Sequence, residues 1–541
     1  MTERQDLGIV IQAVKKAVAF QDDLVKKLAG VSLIERAIEK AKVLAVKDDH
    51  VYVLTDSEEI ELIAIRNGVS VFFDSELTRD IFATKNEITY LKTVASNNQS
   101  IVGLSPYAPL LSVQTVLNAH IALKKSDKDA LRPVVRISGI AGDQQKHVTI
   151  DSLFTPRQCD YIEKNSGAFF ILKGELFLRS LNNPISVLAW ETEDALLEIE
   201  SYQDWWVAEK LLKRRRIVFR VIGNELVGMG HIYRALTLAH GITDHEVLFV
   251  CETKDHDAVD KLAGYDYWFE SYESDQMLHK IMELEPDLVI NDILSTNKDD
   301  IKKMRSGGAL VINFEDLGSG ATESNLTINE LYEKPKIDGD HILWGHNYFF
   351  VRDEFDNATP VKFDQKVSAL LLTFGGTDQR NLTGKIYTAL QAYCVADNIL
   401  IYIVTGPGYK EYNRLIDDTK DAPNVLITHD TGVMSGIMEQ VQLAVTSNGR
   451  TVYELAHMNI PAIVVSQHER ENTHSFATRE NGFINVGVYH KGTTERLVQN
   501  ELQNLVNNHE HRENLYDKLV SYNFDHNRNQ VLQLINGMLD K

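Results

Sequence analysis

At 541 residues the chain is too long for one hydrophobic core and is expected to divide into three units of ordinary domain size. Its 44% hydrophobic and 25% charged content is that of a soluble globular protein, with no apolar run near the roughly 20 residues of a membrane-spanning helix. The net charge of −21 repels nucleic acid and anionic membranes, and the polar start Met1-Thr-Glu-Arg-Gln-Asp lacks a signal-peptide core, so a cytoplasmic protein without nucleic-acid partners is expected.

In chain order, the first segment alternates strand-like and helix-like stretches: Gly8 to Ile11, the helical Ser32 to Val43, His50 to Leu54, the helical Ile60 to Asn67, and Val69 to Phe73. This pattern predicts an α/β fold with a doubly wound sheet. Near Arg214 a helix-like stretch, Asp204 to Lys213, meets the basic run Lys213-Arg214-Arg215-Arg216, read as a solvated helix end or domain junction. Ile217 to Ile222 then opens a second series of strands, with Glu246 to Cys251, Asp287 to Ile290 and Ala309 to Phe314. A third series comprises Ala369 to Phe374, Ile399 to Val404, Val425 to Ile427, Leu443 to Thr446 and Ala462 to Ser466. Both series read as parallel α/β domains. The stretch Phe355 to Gln365, with Pro360, reads as a hinge, giving domains at 1–214, 215–362 and 363–541, the last two being Rossmann-like halves that face a cleft. Cys159, Cys251 and Cys394 lie far apart without metal-ligand spacing and are expected to pack as small hydrophobes.

Three glycine-containing turns follow strands in the last two domains. Gly228-Met229-Gly230-His231, followed by Arg234, puts a histidine at the start of a helix, where a base and free backbone N–H groups can meet a sugar nucleotide together. Thr373-Phe374-Gly375-Gly376-Thr377-Asp378 ends a strand where glycines let backbone N–H groups approach a diphosphate. Ser447-Asn448-Gly449-Arg450-Thr451-Val452-Tyr453-Glu454 starts a further helix, with Glu454 either reaching ribose hydroxyls or capping Thr451.

From about Ile217 onward these stretches, together with Phe314-Glu-Asp-Leu317, Trp344-Gly-His-Asn-Tyr348, Arg352-Asp-Glu-Phe355 and Asn381-Leu-Thr383, resemble the UDP-sugar hydrolases of the pseudaminic acid pathway and related spore-coat polysaccharide proteins. The resemblance implies a GT-B-like pair of Rossmann-like domains. It also implies His231 as the catalytic base toward water at the anomeric carbon, with no cofactor required and no metal site. Implied contacts to the UDP-linked sugar are Gly228, Gly230, Arg234, Gly375, Gly376, Thr377, Asn448, Gly449, Thr451, Glu454 and Asn472, the last after Gln467-His-Glu-Arg-Glu. Since the base must be a neutral imidazole, activity is expected to fall on acidification. Asn448 departs from the family, which more usually has a glycine there, and places a side chain where phosphate would approach; Arg450 either compensates with charge or points to solvent.

From about Leu7 to Lys213, Leu28-Ala-Gly30, Leu33 to Ala37, Leu54-Thr-Asp-Ser-Glu-Glu-Ile60, Ala108-Pro-Leu110 and Asn165-Ser-Gly-Ala-Phe-Phe-Ile171 resemble the cytidylyltransferases that make CMP-sialic acid. That implies a nucleotidyltransferase Rossmann-like domain, and Phe154 to Ile171 resembles the family's dimer-forming region, implying a homodimer. Chemistry is missing, however. Ala13-Val14-Lys15-Lys16-Ala17-Val18 replaces a glycine-rich nucleotide loop, Leu111 replaces an arginine, and Glu198-Ile-Glu200 replaces a pair of aspartates that hold metal. A catalytically degenerate domain is expected, with magnesium relevant only if it is active. Four readings stay open: hydrolysis of a UDP-linked acetamido sugar in nonulosonic acid or surface-glycan biosynthesis, glycosyl transfer by the same fold, a bifunctional enzyme that also makes CMP-nonulosonate, and a non-catalytic sugar-nucleotide scaffold.

Overall fold

The computed structural model describes residues 7–15, 20, 22–45, 47–78, 84–138, 161–178, 184–224 and 227–540, and the chain divides into two units, Met1–Arg214 and Arg215–Lys541. In the first unit the strands are β1 (Leu7–Ala13), a short hairpin of β2 (Lys27–Leu28) and β3 (Val31–Ser32), β4 (Val51–Thr55), β5 (Ser70–Phe73), β6 (Ser100–Leu104), β7 (Ala130–Ser138), β8 (Tyr161–Asn165), β9 (Phe169–Lys173) and β10 (Val187–Glu191). The main sheet runs β10-β7-β9-β6-β1-β4-β5, with β8 on β7. Strand β1 is central and almost wholly buried, lying parallel to β4 and β6, as an unbroken apolar run predicts. Helix Leu33–Leu44 starts on a Ser32/Glu35 capping box and turns Leu33, Ile34, Ala37, Ile38, Ala41 and Leu44 into the core.

The doubly wound α/β pattern is parallel through β5-β4-β1-β6 and becomes mixed beyond it. Strands β8 and β9, separated only by Ser166–Ala168 and with no helix to carry a crossover between them, both lie antiparallel to β7, and β9 also lies antiparallel to β6.

The second unit holds two wholly parallel sheets. The first contains β11 (Arg216–Val221), β12 (Glu246–Glu252), β13 (Trp268–Tyr272), β14 (Leu288–Asp292), β15 (Leu310–Phe314), β16 (Leu326–Asn329) and β17 (Ile342–Trp344), in the order β13-β12-β11-β14-β15-β16-β17. The second contains β18 (Ala369–Thr373), β19 (Leu400–Thr405), β20 (Val425–His429), β21 (Leu443–Ser447), β22 (Ala462–Ser466) and β23 (Phe483–Val488), in the order β20-β19-β18-β21-β22-β23. In both, the order reverses beside the first strand, and loops leaving the carboxyl ends at such a reversal diverge to open a crevice.

Two segments tie the halves together. Phe349, Val351 and Phe355 already pack in the core of the second sheet, and Val361 donates its N–H to Met458, so the stretch read as a hinge is anchored to that half. Helix Asn527–Leu539 returns to the first half, where Val531, Ile535 and Leu539 join the core of β11 and Asn527 donates to the His346 and Phe349 carbonyls. A domain drawn at 363–541 therefore includes a last helix that packs on its neighbour.

The basic run is absorbed locally: Lys213 pairs with Glu209, Arg215 with Asp287 and Arg216 with Glu246. Cys251 and Cys394 are core residues whose thiols burial pushes up to about 12, while Cys159 lies outside the described residues. No described helix is long and apolar enough to cross a membrane.

Candidate functional site

In the second unit the loops after β11 and β15 on one side, and the carboxyl ends of β18, β19, β21 and β22 on the other, surround a cavity of about 260 Å³. Gly230 and Arg450 approach one another here, as do Met229 and Gly376. Gly228, at φ +76°, turns the chain into helix Gly230–Gly241, whose first turn has no side-chain cap, leaving N–H groups for a ligand.

His231, in that first turn, is 5% exposed and lines the cavity. Its Nδ1 lies 2.6 Å from Asp292 Oδ1, at the end of β14. A carboxylate only accepts, so Nδ1 carries the hydrogen and Nε2 is the basic nitrogen. Burial pushes Asp292 toward the neutral acid, but Arg234 and His231 outweigh it and hold the carboxyl below its usual range. The ring is thus oriented by an ionised partner, as a general base requires.

Arg234, one helical turn on, is fully buried. Its Nε donates to Asp292 Oδ2 at 2.7 Å, Nη2 to Glu315 Oε2 at 2.9 Å and to Asp292 Oδ1, and Nη1 to Glu330. Burial opposes the charge on Arg234, yet these carboxylates raise its pKa further above the ordinary guanidinium range. Glu315 is also buried, but Arg234, His231 and Arg450 hold it well below the carboxylate range. Arg450 donates to Glu330 Oε1 at 2.7 Å and lies over the Phe349 ring, so it neither points to solvent nor stands free for phosphate. Three carboxylates therefore face two guanidiniums, and a proton taken by His231 neutralises the cluster.

His231, Asp292 and Glu315 bring potential metal-ligating atoms within 4.8 Å of one another. The Arg234 Nη2 occupies this space, 3.2 Å from His231 Nδ1 and 2.9 Å from Glu315 Oε2, so a dication would meet a guanidinium already bonded to the same oxygens. That donor set suits proton transfer better than metal binding.

The opposite wall carries Gly375, Gly376 and Thr377. Gly375 sits at φ +79°, and a Cβ on Gly406 would collide with Gly376, so backbone rather than side chains forms this surface. Gly449, Thr451 and Glu454 also line it. Glu454 accepts from Arg352 Nε at 3.0 Å, and no Thr451 cap forms, because Thr451 lies inside the helix rather than at its cap.

Thus Gly228, Gly230, His231, Arg234, Gly375, Gly376, Thr377, Gly449, Thr451 and Glu454 converge on one cavity, with Arg234 committed to carboxylates instead of a ligand. Asn448 and Asn472 do not line it. The Asn448 side chain turns away, donating to the Glu471 and His474 carbonyls at 2.9 and 3.2 Å, so it leaves the phosphate approach clear. Asn472 is exposed, its nearest polar partner being Ser466 Oγ at 3.5 Å. Sequence reasoning assigned no role to Asp292, Glu315, Glu330, Glu471 or His474. The available signal was a carboxylate closing or following a buried apolar strand, as in Leu288–Asp292 and Phe314-Glu315.

The first unit has its own cavity, of about 340 Å³, lined by Gln12, Gly103, Tyr107, Phe170, Glu198 and Glu200, among others. Glu198 Oε1 accepts from Ser166 Oγ at 3.0 Å and from the Gly167 N–H at 2.8 Å. The carboxylate that stands where the resemblance puts a metal-holding aspartate is therefore engaged by the loop between β8 and β9, and Glu200 is exposed. Lys15 Nζ is bound to Glu59 at 2.5 Å and Asp22 at 3.3 Å, leaving it poorly placed for phosphate, and Leu111 is core. Residues 16–18 of the altered loop, and 154–160 of the dimer-like stretch, lie outside the described residues.

Taken together, the chain is an α/β protein with a mixed-sheet unit followed by a pair of Rossmann-like domains whose sheets are wholly parallel. Residues 21–179 match the cytidylyltransferase family, the match starting after the altered loop. An uncharacterized protein of Methanocaldococcus jannaschii is 26% identical over 46% of this chain and 54% of its own length. The spore coat polysaccharide biosynthesis protein SpsG of Bacillus subtilis is 24% identical over 45% of this chain and 75% of its own. The UDP-2,4-diacetamido-2,4,6-trideoxy-beta-L-altropyranose hydrolase of Campylobacter jejuni is 25% identical over 32% of this chain and 65% of its own. The chain spans about half the length of the first of these relatives and about two thirds of the last.

Proposed function

We propose that the second unit binds a UDP-linked acetamido sugar in its cavity and hydrolyses it at the anomeric carbon, within nonulosonic acid or surface-glycan biosynthesis. The observation that carries this reading is the buried His231–Asp292 pair at the cavity wall, opposite the glycine-built surface of Gly375 and Gly376. A water oxygen attacks the anomeric carbon as its proton passes to His231 Nε2. The bond from that carbon to the diphosphate oxygen breaks, and UDP leaves with the electron pair. The N–H groups of the first turn at Gly230 and the backbone at Gly375–Gly376 are suited to hold the diphosphate, and no step needs a metal. The names of the Bacillus and Campylobacter relatives support the substrate class.

For the first unit we propose a degenerate cytidylyltransferase that has kept its fold and lost its chemistry. The engaged Glu198 and ion-paired Lys15 support this. With Glu198 held by its own loop and Glu200 exposed, this pair does not suit magnesium.

The test is UDP release from a panel of UDP-acetamido sugars by the intact protein, with and without glycan acceptors. Loss of the base is expected to lower acceptor-independent release by about 10²–10⁴-fold in His231→Asn. Asp292→Asn should follow it closely, because an amide can stabilise the wrong tautomer. Release only with an acceptor would replace hydrolysis by glycosyl transfer, and full activity in His231→Asn would remove the proposed base.

A further inference from the structure

His474 follows the short helix Glu469–Asn472 and lines the same cavity. Its Nδ1 lies 2.7 Å from the Asn448 carbonyl oxygen, which only accepts, so Nδ1 carries the hydrogen and Nε2 the lone pair. Asn448 meanwhile donates to the Glu471 and His474 carbonyls, so one residue at the end of β21 fixes both the turn and the imidazole. Tyr332 packs edge-on against the ring, with centroids 5.6 Å apart. Nε2 is buried and has no hydrogen-bond partner among the described residues.

Leaving an acceptor buried and unbonded beside a cavity is unfavourable unless a ligand supplies the donor. The position indicates which part of a ligand that is. Glu315, which approaches His231 Nδ1 to 3.5 Å, lines the cavity together with both histidines, so His474 faces the same space as His231. Burial lowers the affinity of His474 for a second proton, outweighing Glu315, so the lone pair persists at neutral pH.

We propose that His474 is a specificity-determining residue whose Nε2 accepts a hydrogen bond from an O–H or N–H group on the sugar of the bound nucleotide sugar. This rests on the cavity being a nucleotide-sugar site. It puts at His474 a contact to the nucleotide sugar from the loop in which the family resemblance had implied Asn472. Asn448, the departure from the family pattern, becomes the residue that sets the tautomer.

Two substitutions separate a reading role from a structural one. In His474→Asn the amide can still donate to the Asn448 carbonyl, but nothing accepts at the Nε2 position. In His474→Gln an acceptor returns near that position while the bond to Asn448 is lost. Binding of UDP and of UDP-N-acetylglucosamine to the full-length protein, measured by titration calorimetry, is expected to show the sugar nucleotide weakened about tenfold or more in His474→Asn, UDP unchanged, and His474→Gln closer to wild type. A purely structural role predicts the reverse order, with His474→Gln the worse variant and both ligands weakened alike. That result overturns the inference, as does an unchanged affinity in His474→Asn. Wild-type protein that binds neither ligand overturns the nucleotide-sugar reading itself, and this inference with it.

Discussion

The cavities of the first and second units, at about 340 and 260 Å³, differ less in room than in the polar groups around them. In the first, Glu198 is bonded to a loop N–H and a serine hydroxyl, and Lys15 is held by two surface carboxylates. In the second, Asp292, Glu315 and Glu330 converge on one fully buried arginine, while His231 keeps a nitrogen for proton transfer. A site depends less on open space than on which polar groups remain uncommitted after the fold has satisfied its own bonds.

Removing the hub of the second cavity is expected to have the largest effect on stability. Arg234→Met leaves three buried carboxylates without their shared guanidinium, and breaking a buried ion-pair network from one side costs about 3–5 kcal/mol. The midpoint of urea unfolding should fall accordingly, with Arg234→Lys recovering only part because an ammonium lacks the planar fork. A loss below about 1 kcal/mol, the range of ordinary substitutions, would show that the cluster is not held as a unit.

A smaller effect is expected from Glu471, which lines the cavity and accepts from the Gln467 N–H at 2.6 Å. Burial pushes its carboxyl up to about 7; the Gln467 N–H opposes the rise, Asp378 adds to it and Arg470 opposes it. The folded-state pKa is thus above its ordinary value of 4.5, so the group's contribution to stability is present in acid and lost as pH rises from about 4.5 through 7. At about 1.4 kcal/mol per pKa unit the change is at most a few kcal/mol. Unfolding free energies measured from pH 4.5 to 8 should show this decline in the parent protein and a flatter profile in Glu471→Gln. Parallel profiles would place the carboxyl in a wetter environment than the fold implies.

In the second unit β11, β12, β14, β15 and β18 to β22 were legible as short apolar runs while β13, β16, β17 and β23 were not, and the turns of His231 and Gly375 were legible because their glycines have a backbone reason to be there. Asp292, Glu330 and His474 were not, because each acquires its role from residues brought together by strand order rather than by spacing. Asn472 shows the remaining limit. The loop after β22 was legible as part of the site, but the side chain turned inward is His474, set by an Asn448 amide that grips two carbonyls of the turn. In the first unit the mixed sheet was hidden for a related reason: direction reverses at β9 without a periodicity signal.

The smallest expected effect lies in the first unit. Glu198→Ala removes the acceptor for Ser166 Oγ and the Gly167 N–H, in a position that is only partly buried, so a loss of about 1 kcal/mol is expected in thermal or urea unfolding. Glu198→Gln keeps an acceptor and should be closer to the parent. UDP release should be unchanged in both variants, because the carboxylate holds a loop and no reacting group. Transfer of CMP from CTP to a nonulosonic acid by the parent protein with magnesium, abolished in Glu198→Ala, would overturn the degenerate reading of this unit. A carboxylate bonded to its own loop in the resting fold would then have to exchange those bonds for a metal during turnover, and commitment within the fold would no longer separate an idle cavity from a working one.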